Sequence, residues 1–495
     1  MSIGDRVRNP VTNTLWYLLR LLWIPLLCGV GYLLANQRAG AVDEPIAERA
    51  RVETPAAATP VLSARRIPGV VGLPQRLGAL TASIEPVLAE VRGVDSCIVV
   101  TTATAAPLYQ YNETLPLVPA SGQKLVTAFA ALNLLGPEHT FRTVLATDAR
   151  VNGGAIEGDL YLIGSGDPVL ATADYTASFK NQPQIRTEFE ALVRGLQEQG
   201  INRIRGSLIA DPTRYDDQRY VESWPFAFRT GQGEQPSGPL SALNLNDGFT
   251  SFPESDQEFG GSGRRVSSQN PPLDTVGALQ RLLANAGIVV DDGVKVAKAP
   301  PVPNELASVS SPPLSVIVGE MLRESDNTTA ELLIKEIGAV KAQQGTHDAG
   351  ISIVRQFLVD VGLALPNTFV DDGSGLSSNN RVTCLELARI IAVSGPDSPL
   401  QAGLAVGAES GTLVDRFAAS RAAGKVAAKT GTLGGVSSLS GVVDTDPGDR
   451  VVFSIIANGA DEEALKGTEE RLAEKLLDWP AGPSTEAIGP RPVAG

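Results

Sequence analysis

Apolar and polar positions along the chain fall into three kinds of pattern. One is a nearly unbroken apolar stretch, Leu15 to Ala35, interrupted by Arg20 and preceded by Arg6 and Arg8. A second is helical spacing. "TEFEALVRGLQEQGI" puts Phe189, Leu192, Val193 and Leu196 on one face, Thr187 with Glu190 predicts a capping box, and Gly200 suits the stop. Strand-like "RGSLIAD" follows, and a similar helix-glycine-strand unit, "LQRLLANAGIVVDDGVKVA", begins at Leu279. The third pattern is short β-branched runs: "SCIVVTTA" from Ser96 and, after Lys425, "KVAAKTGTL", "VSSLSGVVDT" and "RVVFSIIANG", with turn residues between them. An amphipathic helix from about Glu463 to Trp479 closes the pattern. Short connections between the late strands predict an antiparallel sheet with helices packed against it.

These patterns divide the chain. Residues 1–36 read as an export signal, either a cleaved signal peptide, for which Ala39, Gly40 and Ala41 offer a small-residue site, or an uncleaved anchor. The length of the apolar stretch, close to the roughly 20 residues that span a bilayer, favours the anchor. Residues 37–75, rich in Ala, Pro and Arg, read as a flexible linker. Residues 76–145 and 310–479 form one predicted body, 146–309 an inserted α/β accessory region, and 480–495 a disordered tail.

Composition narrows the chemistry. With 43% apolar and 19% charged residues the 495-residue chain can bury a sizeable core, and a net charge of −14 without basic runs argues against nucleic acid as a partner. Cys28 belongs to the apolar N-terminal segment, which leaves Cys97 and Cys384 to pair or to stay as two buried thiols. Two histidines, His139 and His347, supply a Ser-His-Asp triad or a His-rich zinc site poorly. No metal and no cofactor are expected.

Three short motifs carry the candidate chemistry. "PASGQKLVTAFAAL" places Ser121 and Lys124 at i and i+3 of a helix start, on one face, where first-turn amides favour negative charge and apolar neighbours such as Leu125 and Val126 lower a lysine pKa. "RESDNTTAELL" holds Ser325, Asp326 and Asn327 before a helix for which Thr328 and Glu331 predict a capping box. "KVAAKTGTLGG" sets Lys429, Thr430, Gly431 and Thr432 on a strand. Singly, each reads equally well as a helix opening or an edge strand. Together and in this order, Ser-x-x-Lys, Ser-x-Asn and Lys-Thr-Gly form the signature set of the penicillin-recognising serine acyl-transferases. "GSGDP" from Gly164 is too short for a phosphate loop, and "ESGTL" from Glu409 imitates the third motif without its lysine.

With "GDLYLIGSGDPVL", "LASVSSPPLSVIVGEMLRESDNTTAELL" and "DDGSGLSSNNRVT", these segments resemble the D-alanyl-D-alanine carboxypeptidase/endopeptidase family, low-mass penicillin-binding proteins with an insertion between the first two motifs. The resemblance spans residues 80–478. It implies an α/β (α+β) transpeptidase-like domain of the DD-peptidase/β-lactamase type, an antiparallel sheet flanked by helices, and a two-step acyl transfer. Ser121 would be the nucleophile, Lys124 its base and Ser325 a proton relay to the departing amine. Asn327 would hold the substrate amide and Lys124. Lys429, Thr430 and Thr432 would bind the terminal carboxylate beside Gly431, with the backbone N–H groups of Ser121 and Thr432 as oxyanion hole. Implied partners are peptidoglycan stem peptides, β-lactams as covalent inhibitors, and the membrane through the N-terminal segment. Asp211, ending "GSLIAD", matches an acidic position that in relatives can face the stem's free amino group. Ser378 stands where many relatives carry a basic residue, and Asp372 to Gly375 read as a tight turn near the site. Competing readings are a β-lactamase or esterase of the same fold, disfavoured because no Glu-x-x-Leu-Asn occurs, and a non-catalytic cell-wall binding protein, disfavoured by three intact motifs.

Overall fold

The structure, a computed structural model, describes residues 63, 67–229, 235–252, 265–301, 304–459, 461–482 and 489. The predicted export segment lies outside these residues, as do most of the linker and tail. The linker's last residues do not: helix α1 spans Pro68–Val91 with proline in its first turn, where a missing N–H costs nothing, so ordered chain begins before residue 76.

A six-stranded antiparallel sheet organises the larger body. Its strands are β1 (Asp95–Thr102), β2 (Pro107–Tyr111), β8 (Ala405–Val406), β9 (Val426–Leu433), β10 (Val436–Asp444) and β11 (Arg450–Asn458), in the order β8-β9-β10-β11-β1-β2. Both faces are covered. Side chains alternate between them along each strand: Cys97 and Val99 pack with helices α2 (Gln123–Leu134), α5 (Leu314–Glu324), α6 (Asn327–Ala342), α7 (His347–Asp360) and α8 (Cys384–Ser394), while Ile98 and Val100 pack with α1 and α9 (Glu462–Leu476). Burial on two faces is why "SCIVV" and "VVFSIIA" read as unbroken apolar runs. A disulfide between Cys97 and Cys384 ties β1 to α8.

The insertion builds a second, mixed sheet from β3 (Arg142–Thr147), β4 (Leu160–Ile163), β5 (Leu208–Asp211), β6 (Val294–Val296) and β7 (Asn304–Ser310), ordered β6-β5-β4-β3-β7. Its two helix-glycine-strand units lie side by side: α3 (Ala191–Glu198) leads through Gly200 to β5, α4 (Pro271–Asn285) leads through Gly287 to β6, and β5 pairs parallel with β6. Leu192, Leu196, Leu279 and Leu283 from these helices fill the core against Leu160, Leu162 and Leu208.

Thr187 and Glu190 do not form the predicted capping box. Thr187 lies in a two-residue strand beside Leu170 and Ala171, and α3 starts later, at Ala191. The Glu190 carboxylate accepts instead from the Ala173 amide and from Arg186.

Candidate active site

The chain reaches Ser121 under tight control. Leu117 bridges Val382 by two backbone hydrogen bonds, and Val118 exchanges two more with the Asn458 side chain. Ser438 Oγ donates to Pro119 O at 2.7 Å. Ala120 is then forced to φ 47°, and Ala120–Gly122 form a short 3-10 turn before α2 begins. Lys124 follows one residue inside α2 and is completely buried. Its Nζ donates to Ser121 Oγ at 2.9 Å, Asn327 Oδ1 at 2.6 Å and Ser374 O at 2.7 Å. All three acceptors are neutral. Burial without a contacting carboxylate among the described residues pushes the amine down to about 8, against the more distant charges of Asp372 and Asp326.

The second motif sits where two helices meet. Ser325 ends α5 in the left-handed conformation, φ 61° and ψ 37°, and Asp326 caps α6 by accepting the Thr329 amide at 3.2 Å. The predicted Thr328–Glu331 capping box is therefore absent: Asp326 stands at the cap, Thr328 Oγ1 accepts the Gly238 amide, and Glu331 turns to the Gly373 and Ser374 amides. Asn327 holds Lys124 with its oxygen and gives an N–H to Pro236 O of the insertion at 2.6 Å. In this structure the Asn327 amide thus already serves a protein carbonyl.

Lys429 is also fully buried on β9, donating to Thr430 O at 2.8 Å. Burial, then the neighbouring Lys124 charge, holds it well below the usual lysine range, opposed by Glu324. Thr430 Oγ1 donates to Thr412 Oγ1 at 2.8 Å, so the "ESGTL" loop props the third motif. Gly431 permits a close approach: a Cβ there would stand 2.3 Å from Ser438 Oγ and 2.5 Å from Pro119 O. Since β8 pairs only with Ala427 and Ala428, the outer edge of β9 from Lys429 to Leu433 carries no strand among the described residues.

Asp372 ties the remaining wall together. Its oxygens accept from the Gly375 and Ser377 amides, from Asn380 Nδ2 and from Trp224 Nε1 of the insertion, all at 2.7 or 2.8 Å. Gly375, at φ +87°, presses on Ala120 O, which a Cβ would meet at 1.9 Å. Ser378, exposed beyond this turn, gives its carbonyl to Arg381.

The structure gathers Ser121, Lys124 and Asn327 into one hydrogen-bonded group, with Ser325 two residues from Asn327 and Lys429 close enough for its charge to act on Lys124's neighbourhood. Asp211 is not in that group. It is buried in the insertion, and its two oxygens accept the Thr213 and Ala299 amides at 2.9 and 2.7 Å. Sequence reasoning overlooked Glu331, Thr412, Trp224 and Pro236. Glu331 left a signal as an acidic residue on the apolar side of α6, and Thr412 lies in the "ESGTL" segment that imitates the third motif.

An antiparallel sheet between helical layers, with a serine and a buried lysine at a helix start beside Ser-x-Asn and Lys-Thr-Gly, defines a serine acyl-transferase of the penicillin-recognising class. The chain belongs to the D-Ala-D-Ala carboxypeptidase 3 (S13) family, whose sequence model matches residues 80–263 and 251–477. A D-alanyl-D-alanine carboxypeptidase of Actinomadura sp. is 30% identical over 474 residues, covering 82% of this chain and 85% of that one. A carboxypeptidase of Mycobacterium tuberculosis is 28% identical over 440 residues, covering 87% and 88%. Among solved structures, penicillin binding protein 4 of Haemophilus influenzae superposes with a TM-score of 0.67 at 21% identity, covering 80% of this chain and 99% of that one.

Proposed function

We propose that the protein is a serine-type D-Ala-D-Ala carboxypeptidase/endopeptidase acting on peptidoglycan stem peptides through an acyl-enzyme. The observation that carries this reading is the buried Lys124 amine, 2.9 Å from Ser121 Oγ and lowered by burial to about 8. Family membership and relatives named as carboxypeptidases support it.

In the reaction, neutral Lys124 takes the Ser121 proton as Oγ attacks the carbonyl between two D-alanines. The Ser121 and Thr432 backbone N–H groups receive the developing oxyanion. Ser325 relays that proton from Lys124 to the departing amine, and water then cleaves the ester, giving its own proton back to Ser121 Oγ by way of Lys124. Asn327 keeps Lys124 in place and, with its remaining N–H, meets the substrate amide. Lys429, Thr430 and Thr432 draw in the terminal carboxylate, and Gly431 lets this strand approach the nucleophile's turn. The free edge of β9 accepts the extended stem as an added strand. β-Lactams enter by the same route and stay bound as slow esters, a reading supported by the solved β-lactam complex of the Haemophilus influenzae protein. Such a substrate places the enzyme outside the cytoplasm, and the Leu15–Ala35 stretch serves as its export signal and anchor. Asp211 is a structural residue of the insertion in this reading, not a contact to the stem.

Release of D-alanine from a stem pentapeptide tests the proposal. The parent releases it and Ser121→Ala, still folded, does not. Release by Ser121→Ala at the parent rate would remove Ser121 from the reaction.

A further inference from the structure

Two elements grip the same short peptide behind Lys124 from opposite sides. From α2, Thr127 Oγ1 donates to Gly373 O at 2.6 Å and Lys124 Nζ donates to Ser374 O at 2.7 Å. From α6, Glu331 Oε1 accepts the Gly373 and Ser374 amides at 3.0 and 2.7 Å. Both carbonyls thus face α2 and both amides face Glu331, which fixes the orientation of the peptide that holds the lysine. The turn has no slack: a Cβ on Gly373 would meet Ile334 Cγ1 at 2.6 Å and Ala330 O at 2.8 Å. Glu331 itself is fully buried, and its second oxygen has no hydrogen-bond partner among the described residues. It faces His347 Nε2 of α7 at 3.8 Å, an atom likewise without a partner. The His347 Nδ1 side lies 3.6 Å from Asp348, which favours the proton there and leaves Nε2 a bare lone pair. An oxygen so placed suits a protonated acid, whose O–H points toward that lone pair.

We propose that Glu331 is a positioning residue for Lys124: its carboxyl group, through the Gly373–Ser374 peptide, holds the amine at Ser121 and governs how readily that amine loses its proton. The charged and titratable groups around it are Asp372 on the turn, His347 on α7 with Asp348 behind it, Lys124 on α2 and Lys335 one turn along α6. Burial, then the Asp372 charge, pushes Glu331 up to about 8. Below that pH the group is neutral and adds nothing to the field that keeps Lys124 protonated. Above it, an ionised Glu331 stabilises the ammonium, so the two protons leave as a coupled pair.

This rests on Lys124 acting as the base. Acylation by benzylpenicillin across pH, with D-alanine release for kcat and KM, separates the two ideas. Glu331→Ala leaves two buried amides without an acceptor, so kcat falls by about 10²-fold with KM little changed. Glu331→Gln keeps the acceptor oxygen and restores the rate, but cannot ionise, so its alkaline-rising limb moves to lower pH than the parent's. Parent kcat in Glu331→Ala, or an unmoved limb in Glu331→Gln, would overturn the proposal. Should Glu331→Ala not fold, the limb in Glu331→Gln decides alone. A parent that fails to acylate, or Lys124→Ala acylating normally, sinks the underlying reading instead.

Discussion

In the proposed reaction Lys124 is the residue on which the chemistry turns, because a lysine can serve as a base near neutral pH only when its charged form is made costly. The protein does this by burial and by giving Nζ three neutral oxygens. The sign of the pH dependence follows. Protonated Lys124 is inactive, so acylation rises with pH through a limb near the amine's value of about 8. Lys124→Ala slows acylation by about 10²-fold or more, the scale of a lost general base. A rate independent of pH between about 6 and 9 in the parent would contradict this assignment. That Ser121, Lys124 and Asn327 would meet was legible in the sequence because the motifs that carry them are specific in residue type and narrow in spacing. Glu331 was misread for a local reason. Thr-x-x-Glu is a capping signature, but Asp326, two residues before Thr328, claims the helix end with a stronger acceptor and frees Glu331 for a distant turn. Asp211 shows why the sequence alone leaves two readings open: a strand-end carboxylate looks the same whether it meets a ligand or, as its oxygens do here, backbone amides.

At the level of elements, the late strands could be read with near-correct ends, since their periodicities are uninterrupted and their turns carry glycine, whereas α4 begins at Pro271, well before the Leu279 from which the second helix-glycine-strand unit was read. The start of α3 was missed because Thr187 joined a tertiary strand pair that no local pattern announces. Pairing of Cys97 with Cys384 was equally hidden, the two lying 287 residues apart. That bond closes a very long loop between β1 and α8, so it restricts the unfolded chain strongly. Reduction, or Cys97→Ser with Cys384→Ser, lowers stability by about 2–5 kcal/mol. Denaturant unfolding with and without reductant checks it; coincident midpoints would show that the bond contributes nothing.

Across the whole molecule, the insertion is part of the site's wall as well as an appendage, since Pro236 holds Asn327 and Trp224 holds Asp372. The same partnership buries ionisable groups. Burial pushes Asp167 up to about 6, Glu320 to about 7, and Asp247 and Glu331 each to about 8. In the unfolded chain such carboxyls lose their protons near about 4. Between these values the native state holds more protons, so stability falls as pH rises from about 5 to 8. The net charge of −14 at neutral pH acts in the same direction through self-repulsion. Melting temperatures at about pH 5.5 and about pH 8 test this, with the lower pH expected to be the more stable; the reverse order would contradict it. The central claim is narrower and is tested by one measurement: intact mass of the full-length protein after mixing with benzylpenicillin, beside Ser121→Ala. A lasting adduct of the whole drug on the parent and none on the variant is the expected result. An adduct on both, or a folded parent that gains no mass and leaves the drug intact, would contradict Ser121 as the nucleophile.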